Sequence, residues 1–383
     1  MREIGPDQLE DMARGAGILG TGGGGDPYIG RLLAQQAIRE HGPVTVVDID
    51  EVPADATVIA VSAMGAPTVS VEKIPAGDEE VRALRALERT LGRRATHLMP
   101  IEVGGLNSMT PFIAAARTGL PLVDGDAMGR AFPEAQMVLP GLIGVTVAPM
   151  AVADDKGNTL VLQTTSNHWT ERLARTACVE MGCAVSCADT VMRGDQLAAG
   201  LVPATLTLAE DLGRAVREAR AAHADPVAAA ADLLGGVPLL TGKVVDVSRR
   251  TTGGFARGDA RLEGLGADAG RVLDLSFQNE HLVARRDGEV VATTPDLICV
   301  LDTDGGDPVT TENLRYGLRV TVLGVPCDPR WLTPAGLALA GPRYFGYDHD
   351  HVPLPHRPPE PDAGDPRTTG PAGVGGVSRS GSG

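Results

Sequence analysis

The sequence predicts an α/β amino-terminal domain with a mostly parallel sheet, a helical connector, a β-rich carboxyl-terminal domain and a disordered tail. Three observations carry this. Up to residue 130, strand-like apolar runs alternate with amphipathic helical ones, the grammar of a parallel α/β layer. From 240 to 325 the text is almost all strand-like. From about 357 it becomes rich in Pro, Gly and Ser, a composition that buries too little apolar surface to order itself. At roughly 150 residues per domain, 383 residues make two or three units, here 1–167, 168–356 and the tail 357–383.

Taken in order, residues 6–15 read as a short helix with Pro6 near its start and Gly15 at its end. The run Gly20-Thr21-Gly22-Gly23-Gly24-Gly25-Asp26-Pro27 opens a second amphipathic stretch. Strands are expected at 44–49, 57–63 (ending in Met64-Gly65-Ala66-Pro67), 97–103 and 120–123, with helices at 78–91 and 108–118 between them. Residues 168–182 and 207–234 read as helical, the latter broken at Pro226. In the last third, Asp287-Gly288 between two alternating apolar runs marks a hairpin.

Composition excludes several classes of function. Acidic residues number 49 against 34 basic ones, a net charge of −15 that repels phosphate backbones and anionic membranes. No nucleic-acid or membrane partner is expected. No apolar run approaches the ~20 residues of a membrane span. The start, MREIGPDQLE, lacks the features of a signal peptide, so the protein is expected in the cytoplasm. Five cysteines, an odd number, form no secreted disulfide framework. Cys178, Cys183 and Cys187 fit no zinc spacing, and Cys178 and Cys183, in an apolar helix-like stretch, read as core thiols.

The richest stretch for chemistry is 97–130: strand, Glu102, Gly104-Gly105-Leu106-Asn107-Ser108, helix, strand, then Asp124-Gly125-Asp126. In a βαβ unit these carboxylates gather at the carboxyl edge of the sheet, where open α/β sheets bind ligands. Carboxylates converging there repel unless a cation neutralises them, and with Asn107 they suit a divalent ion. The competing reading is that Asp124 and Asp126 cap the next turn. His97, His168 and His281 are further candidates, the last two in polar clusters within apolar text. Gly20, Gly22 and Gly25 match G-x-G-x-x-G, with Asp48 near the dinucleotide spacing, but the motif needs a strand before it. A loop that accepts an anion at a helix amino terminus, through Gly22, Gly23, Gly24 and Gly25, fits better, and no nucleotide is expected. Arg343-Tyr344-Phe345-Gly346 reads as an anchor for the chain end.

Together these motifs resemble one family. Gly20 to Pro27, Glu102-Val103-Gly104-Gly105-Leu106-Asn107-Ser108 and Asp124 to Pro133 match it. So do Gly253-Gly254-Phe255, Phe277-Gln278-Asn279-Glu280, Pro295-Asp296-Leu297 and Gly341 to Tyr347. The chain resembles the DUF917 family, also called the S-methyl thiohydantoin desulfurase family, over about residues 3–355. The resemblance implies an α/β domain followed by a largely β domain. It also implies hydrolysis at a five-membered cyclic ureide or thioureide ring, with a sulfur leaving group. Hydantoinase/oxoprolinase-type proteins often accompany such members.

The leading expectation is a metal-assisted hydrolase acting on a thiohydantoin or hydantoin-like ring. Zinc, manganese or cobalt held by some of Glu102, Asp124, Asp126 and His168 would activate water. A carboxylate outside that set would act as base, Asn107 or Asn279 would stabilise developing charge, and Glu280 would protonate the leaving group. The alternative is a non-catalytic ligand-binding or assembly subunit of a hydantoinase-type system. A homo-oligomer is compatible with either.

Overall fold

The computed structural model describes residues 1–65, 69, 73–252 and 255–355. The expected tail, 357–383, and Ala66, Pro67, Gly253 and Gly254 of the quoted motifs lie outside them. The strands are β1 (Arg2–Ile4), β2 (Val44–Asp48), β3 (Thr57–Gly65), β4 (His97–Pro100), β5 (Leu122–Asp126), β6 (Met150–Ala153), β7 (Thr159–Leu162), β8 (Ala184–Arg193) and β9 (Val202–Pro203) in the first sheet. The second holds β10 (Val237–Thr252), β11 (Phe255–Gly264), β12 (Val272–Gln278), β13 (Glu280–Arg286), β14 (Glu289–Thr293), β15 (Leu297–Asp302) and β16 (Arg319–Val325).

The first sheet runs β1-β2-β5-β4-β3-β8-β6-β7, with β9 on β5. Its parallel part is the four strands β2-β5-β4-β3, in which the β3–β4 and β4–β5 connections carry crossover helices. Antiparallel strands extend it on both sides, so the sheet is mixed. The stretch read as a helical connector is not wholly helical. After the Asn167–Glu180 helix it returns as β8, which pairs with β3 and β6 inside the first sheet. Alternating small and apolar residues (Ala-Val-Ser-Cys-Ala-Asp-Thr-Val) make β8 buried on both faces, which hid its period.

The second sheet is antiparallel throughout, in order β14-β13-β12-β11-β10-β16-β15. The Asp287-Gly288 hairpin is present, both residues at positive φ (53° and 89°), with Arg286 facing Glu289. Two apolar clusters hold the molecule together. The larger spreads over the first sheet and takes in Leu297, Cys299, Leu323 and Trp331 from beyond it. The smaller fills the other side of the second sheet around Leu240, Leu262, Leu275 and Val322.

The first helix, Gln8–Leu19, runs through Gly15 instead of ending there. It crosses the Thr205–Ala221 helix so closely that a Cβ on Gly15 would sit 1.9 Å from the Ala209 carbonyl oxygen. Tertiary packing overrides the C-terminal preference of glycine here. Asp26 then caps the Pro27–His41 helix, its Oδ1 accepting the Tyr28 N–H at 2.9 Å.

Candidate active site

β4 ends at Pro100, and the chain turns through Glu102 into the short helix Gly105–Ser108. Glu102 therefore leaves the carboxyl end of a parallel strand, as the βαβ reading requires. It is buried, and both its oxygens accept hydrogen bonds. Oε1 takes the Asn107 Nδ2 donor at 2.6 Å and Oε2 takes the Phe132 N–H at 3.2 Å. Asn107 also accepts the Ala63 N–H at 2.6 Å and donates to the Ala63 carbonyl at 3.1 Å. With its amide engaged on three sides, Asn107 orients Glu102 against β3; it has no hydrogen left for an oxyanion.

The second acid comes from the other sheet. Asn279, at φ 58°, breaks the chain between β12 and β13, a conformation asparagine tolerates better than most residues. Its side chain accepts the Ala256 N–H at 2.9 Å, so it too works on the backbone. Glu280 follows, 1% exposed. Its Oε1 accepts the Gly24 N–H at 3.0 Å, and its Oε2 has no hydrogen-bond partner among the described residues. Glu102, Glu280, Asn107, Asn279, Gly24 and Gly25 line one cavity of about 210 Å³ between the two sheets.

Burial dominates the electrostatics. It holds Glu102 well above the usual carboxylate range, and the charge of Glu280 pushes the same way. Burial lifts Glu280 to about 7, against the pull of the Arg130 guanidinium. With Glu102 held well above the carboxylate range and Glu280 at about 7, one can hold a proton while the other takes one.

The glycine run makes room for this arrangement. A Cβ on Gly23 would lie 2.0 Å from Glu280 Oε1, and one on Gly22 would lie 2.4 Å from His281 Cε1. What precedes the run is the Gln8–Leu19 helix, not the strand a dinucleotide fold needs, and the Asp48 N–H is bonded to Glu51 in its own turn. Gly22, Gly23 and Gly24 thus seat β13 against the first domain. Gly23→Ala is expected to cost about 1–3 kcal/mol, as overpacking does. A lowered melting temperature in a thermal scan checks this.

The remaining candidates lie elsewhere. Asp124 caps the Thr205–Ala221 helix: Oδ1 accepts the Leu206 N–H at 2.9 Å and the Thr207 N–H at 3.2 Å. Asp126 Oδ2 accepts the N–H groups of Val103, Met128 and Gly129 at 2.9–3.0 Å, and so holds the loop that carries Arg130. Asp126 thus caps the turn that follows it, as the competing reading has it, whereas Asp124 caps a helix far along the chain and not the next turn. His168 is exposed on the first turn of its helix. None of the three lines the cavity, so Glu102, Asp124, Asp126 and His168 are not assembled as a ligand set. Among the described residues, no three of His, Cys, Asp and Glu are placed to hold a metal ion.

Residues 7–164 match the family model described as the S-Me-THD-like N-terminal domain, and 165–354 match the S-Me-THD-like C-terminal domain. The chain belongs to the S-Me-THD-like family. Its fold is similar to the crystal structure of a protein from Chromobacterium violaceum, with a TM-score of 0.78 and 24% identity. That likeness covers 93% of this chain and 100% of the other. No curated protein matches the chain.

In this S-Me-THD-like chain the functional residue that sequence reasoning missed is Arg130. It is 0% exposed and donates to the carbonyls of Ala131, Pro295 and Asp296 at 2.7–2.9 Å and to Thr21 Oγ1 at 3.0 Å. Its guanidinium lies 4.3 Å from the Phe132 ring centroid. A lone cation inside Asp-Ala-Met-Gly-Arg-Ala-Phe-Pro was the available signal. His281 is a structural histidine: burial drops it to about 4, and its Nδ1 lies 3.1 Å from the Ile298 carbonyl. Cys178 and Cys187 are core thiols, both pushed up by burial, Cys178 to about 11, whereas Cys183, past the end of its helix, is only half-buried and is not a core thiol. Tyr344 donates to Glu134 Oε2 at 2.6 Å and so anchors the chain end.

Proposed function

We propose that the Glu102–Glu280 pair hydrolyses a thiohydantoin or hydantoin-like ring at the carbon that bears sulfur, releasing sulfide or a thiol. One observation carries this reading: two buried carboxyls from different domains line one small cavity, and Glu280 keeps a free oxygen. The membership in the S-Me-THD-like family supports the ring chemistry. Glu280 acts as the base, because the Arg130 charge favours its ionised form, and Glu102 holds the proton. The sequence alone placed Glu280 as the acid; its position beside Arg130 favours the reverse.

For an S-methyl substrate, water adds to the C–S carbon while Glu280 takes one of its protons. The C=N electrons move to the ring nitrogen, which receives the Glu102 proton. As the tetrahedral adduct collapses, the C–S bond breaks, Glu102 removes the hydroxyl proton and Glu280 protonates the departing thiol. Both acids return to their starting states, and the net change is ring plus water to hydantoin plus methanethiol. No step uses a metal, so EDTA treatment is expected to leave turnover in place, checked by elemental mass spectrometry alongside rates.

The deciding experiment measures thiol release from S-methyl thiohydantoins across pH. The expected profile of kcat/KM is bell-shaped. Below about 7 Glu280 becomes protonated and the base is lost; at high pH Glu102 loses its proton and the acid is lost. A folded protein that releases no thiol overturns the reading.

A further inference from the structure

Besides Glu102 and Glu280, another buried acid lines the same cavity and takes no part in the chemistry above. Glu79 and Glu80 open the Glu79–Leu91 helix side by side. Glu79 is fully engaged, accepting the N–H groups of Ala76 and Gly77 at 2.7 Å each. Glu80 is not. It is 8% exposed, its carboxyl takes its own backbone N–H and a long 3.4 Å hydrogen bond from Ser186 Oγ to Oε1, and its Oε2 has no partner among the described residues. An unpaired carboxylate oxygen held out of water is costly unless a ligand supplies the donor.

Its place relative to the catalytic pair follows from the sheet. Glu102 is bonded to Asn107 and Asn107 to Ala63, which faces Ser186 across the β3–β8 ladder. Ser186 reaches Glu80, so the free carboxyl sits one strand over from the reacting end of the cavity. Asp189, also on β8, adds a second buried acid to that wall. The two cations that line the cavity among the described residues are already matched. Lys73 pairs with Asp155 at 2.6 Å and donates to two carbonyls; Arg175 pairs with Glu171. The wall therefore offers acceptors and no spare positive charge.

We propose that Glu80 is a specificity-determining residue that selects rings carrying a cationic, N–H-bearing substituent and rejects those carrying a carboxylate. This rests on the ring-hydrolase reading and names its substrate class. A guanidinium or ammonium gives Glu80 Oε2 its missing donors and leaves no buried charge unpaired. An anionic substituent meets Glu80 and Asp189, and the Arg117 guanidinium that acts on Glu80 does not line the cavity.

The test uses S-methyl thiohydantoins with a guanidinopropyl, a methyl or a carboxyethyl group at ring carbon 5, assayed for thiol release with wild type and Glu80→Gln. Wild type is expected to prefer them in that order. In Glu80→Gln the guanidinopropyl-to-methyl ratio of kcat/KM falls roughly thirtyfold, the effect of removing one partner of a buried charge pair. A merely structural role for Glu80 would lower all three substrates together and leave the ratio alone. Calorimetric binding of the matching hydantoins to wild type separates the two readings. Selective binding of the guanidinopropyl ring without any thiol release sinks the hydrolase and upholds the selection by charge. Turnover of all three rings with no preference, or a preference for carboxyethyl, sinks the selection and upholds the hydrolase.

Discussion

Glu280→Gln is expected to lower kcat by about 10²–10⁴-fold, the contribution of a positioned general base. The fold has little reason to respond. A glutamine keeps the carbonyl oxygen that accepts the Gly24 N–H, and the site loses a buried carboxyl that burial already pushes to about 7. Equal melting temperatures with a collapsed rate would place the loss in chemistry. Glu280→Gln turning over at the wild-type rate would remove Glu280 from the mechanism, and with it the domain interface as the seat of reaction.

Arg130→Met is expected to destabilise the protein by roughly 3–5 kcal/mol, the range for breaking a buried charged network by removing one partner. Three carbonyls and the Thr21 hydroxyl lose their donor at once, and two of those carbonyls belong to the 295–296 turn of the second domain. Chemical denaturation measures the loss. Whatever folded fraction remains carries a second signature. Arg130 favours the ionised form of Glu280, so its removal raises the Glu280 value. The acid limb of the pH–rate profile then moves to higher pH. Arg130→Lys is not conservative here, because an ammonium cannot reproduce the fork that reaches Thr21 and the 295–296 carbonyls together.

Much of the α/β layer was legible because its signals are local. The strand at 57–63 and the helix at 78–91 appear where their periods place them, and the βαβ unit from His97 to Asp126 keeps its order, although its first strand stops at Pro100 and its second runs on through Asp124 to Asp126. The Asp287-Gly288 hairpin follows from two residues that tolerate positive φ. Glu102 was readable for the same reason, since a polar residue closing a buried parallel strand stands at a known edge. The fate of Asp124 was not readable. Whether that carboxylate meets a ligand or a helix amino terminus depends on residues 206 and 207, some eighty positions away.

By itself the sequence determined the element types over most of the chain, the family, and the carboxyl edge at which Glu102 stands. These rest on periodicity, turn chemistry and motif order, which are properties of neighbours along the chain. Only the tertiary structure decided that Glu280, and not Asp124 or Asp126, lines the cavity together with Glu102. The pair forms because the glycine run leaves no side chain between Gly23 and β13, bringing residues 24 and 280 to hydrogen-bond distance. The raised values of both acids arise the same way, for burial belongs to the folded space, as does the Arg130 charge that pulls Glu280 back down, and neither is written in any local stretch of sequence.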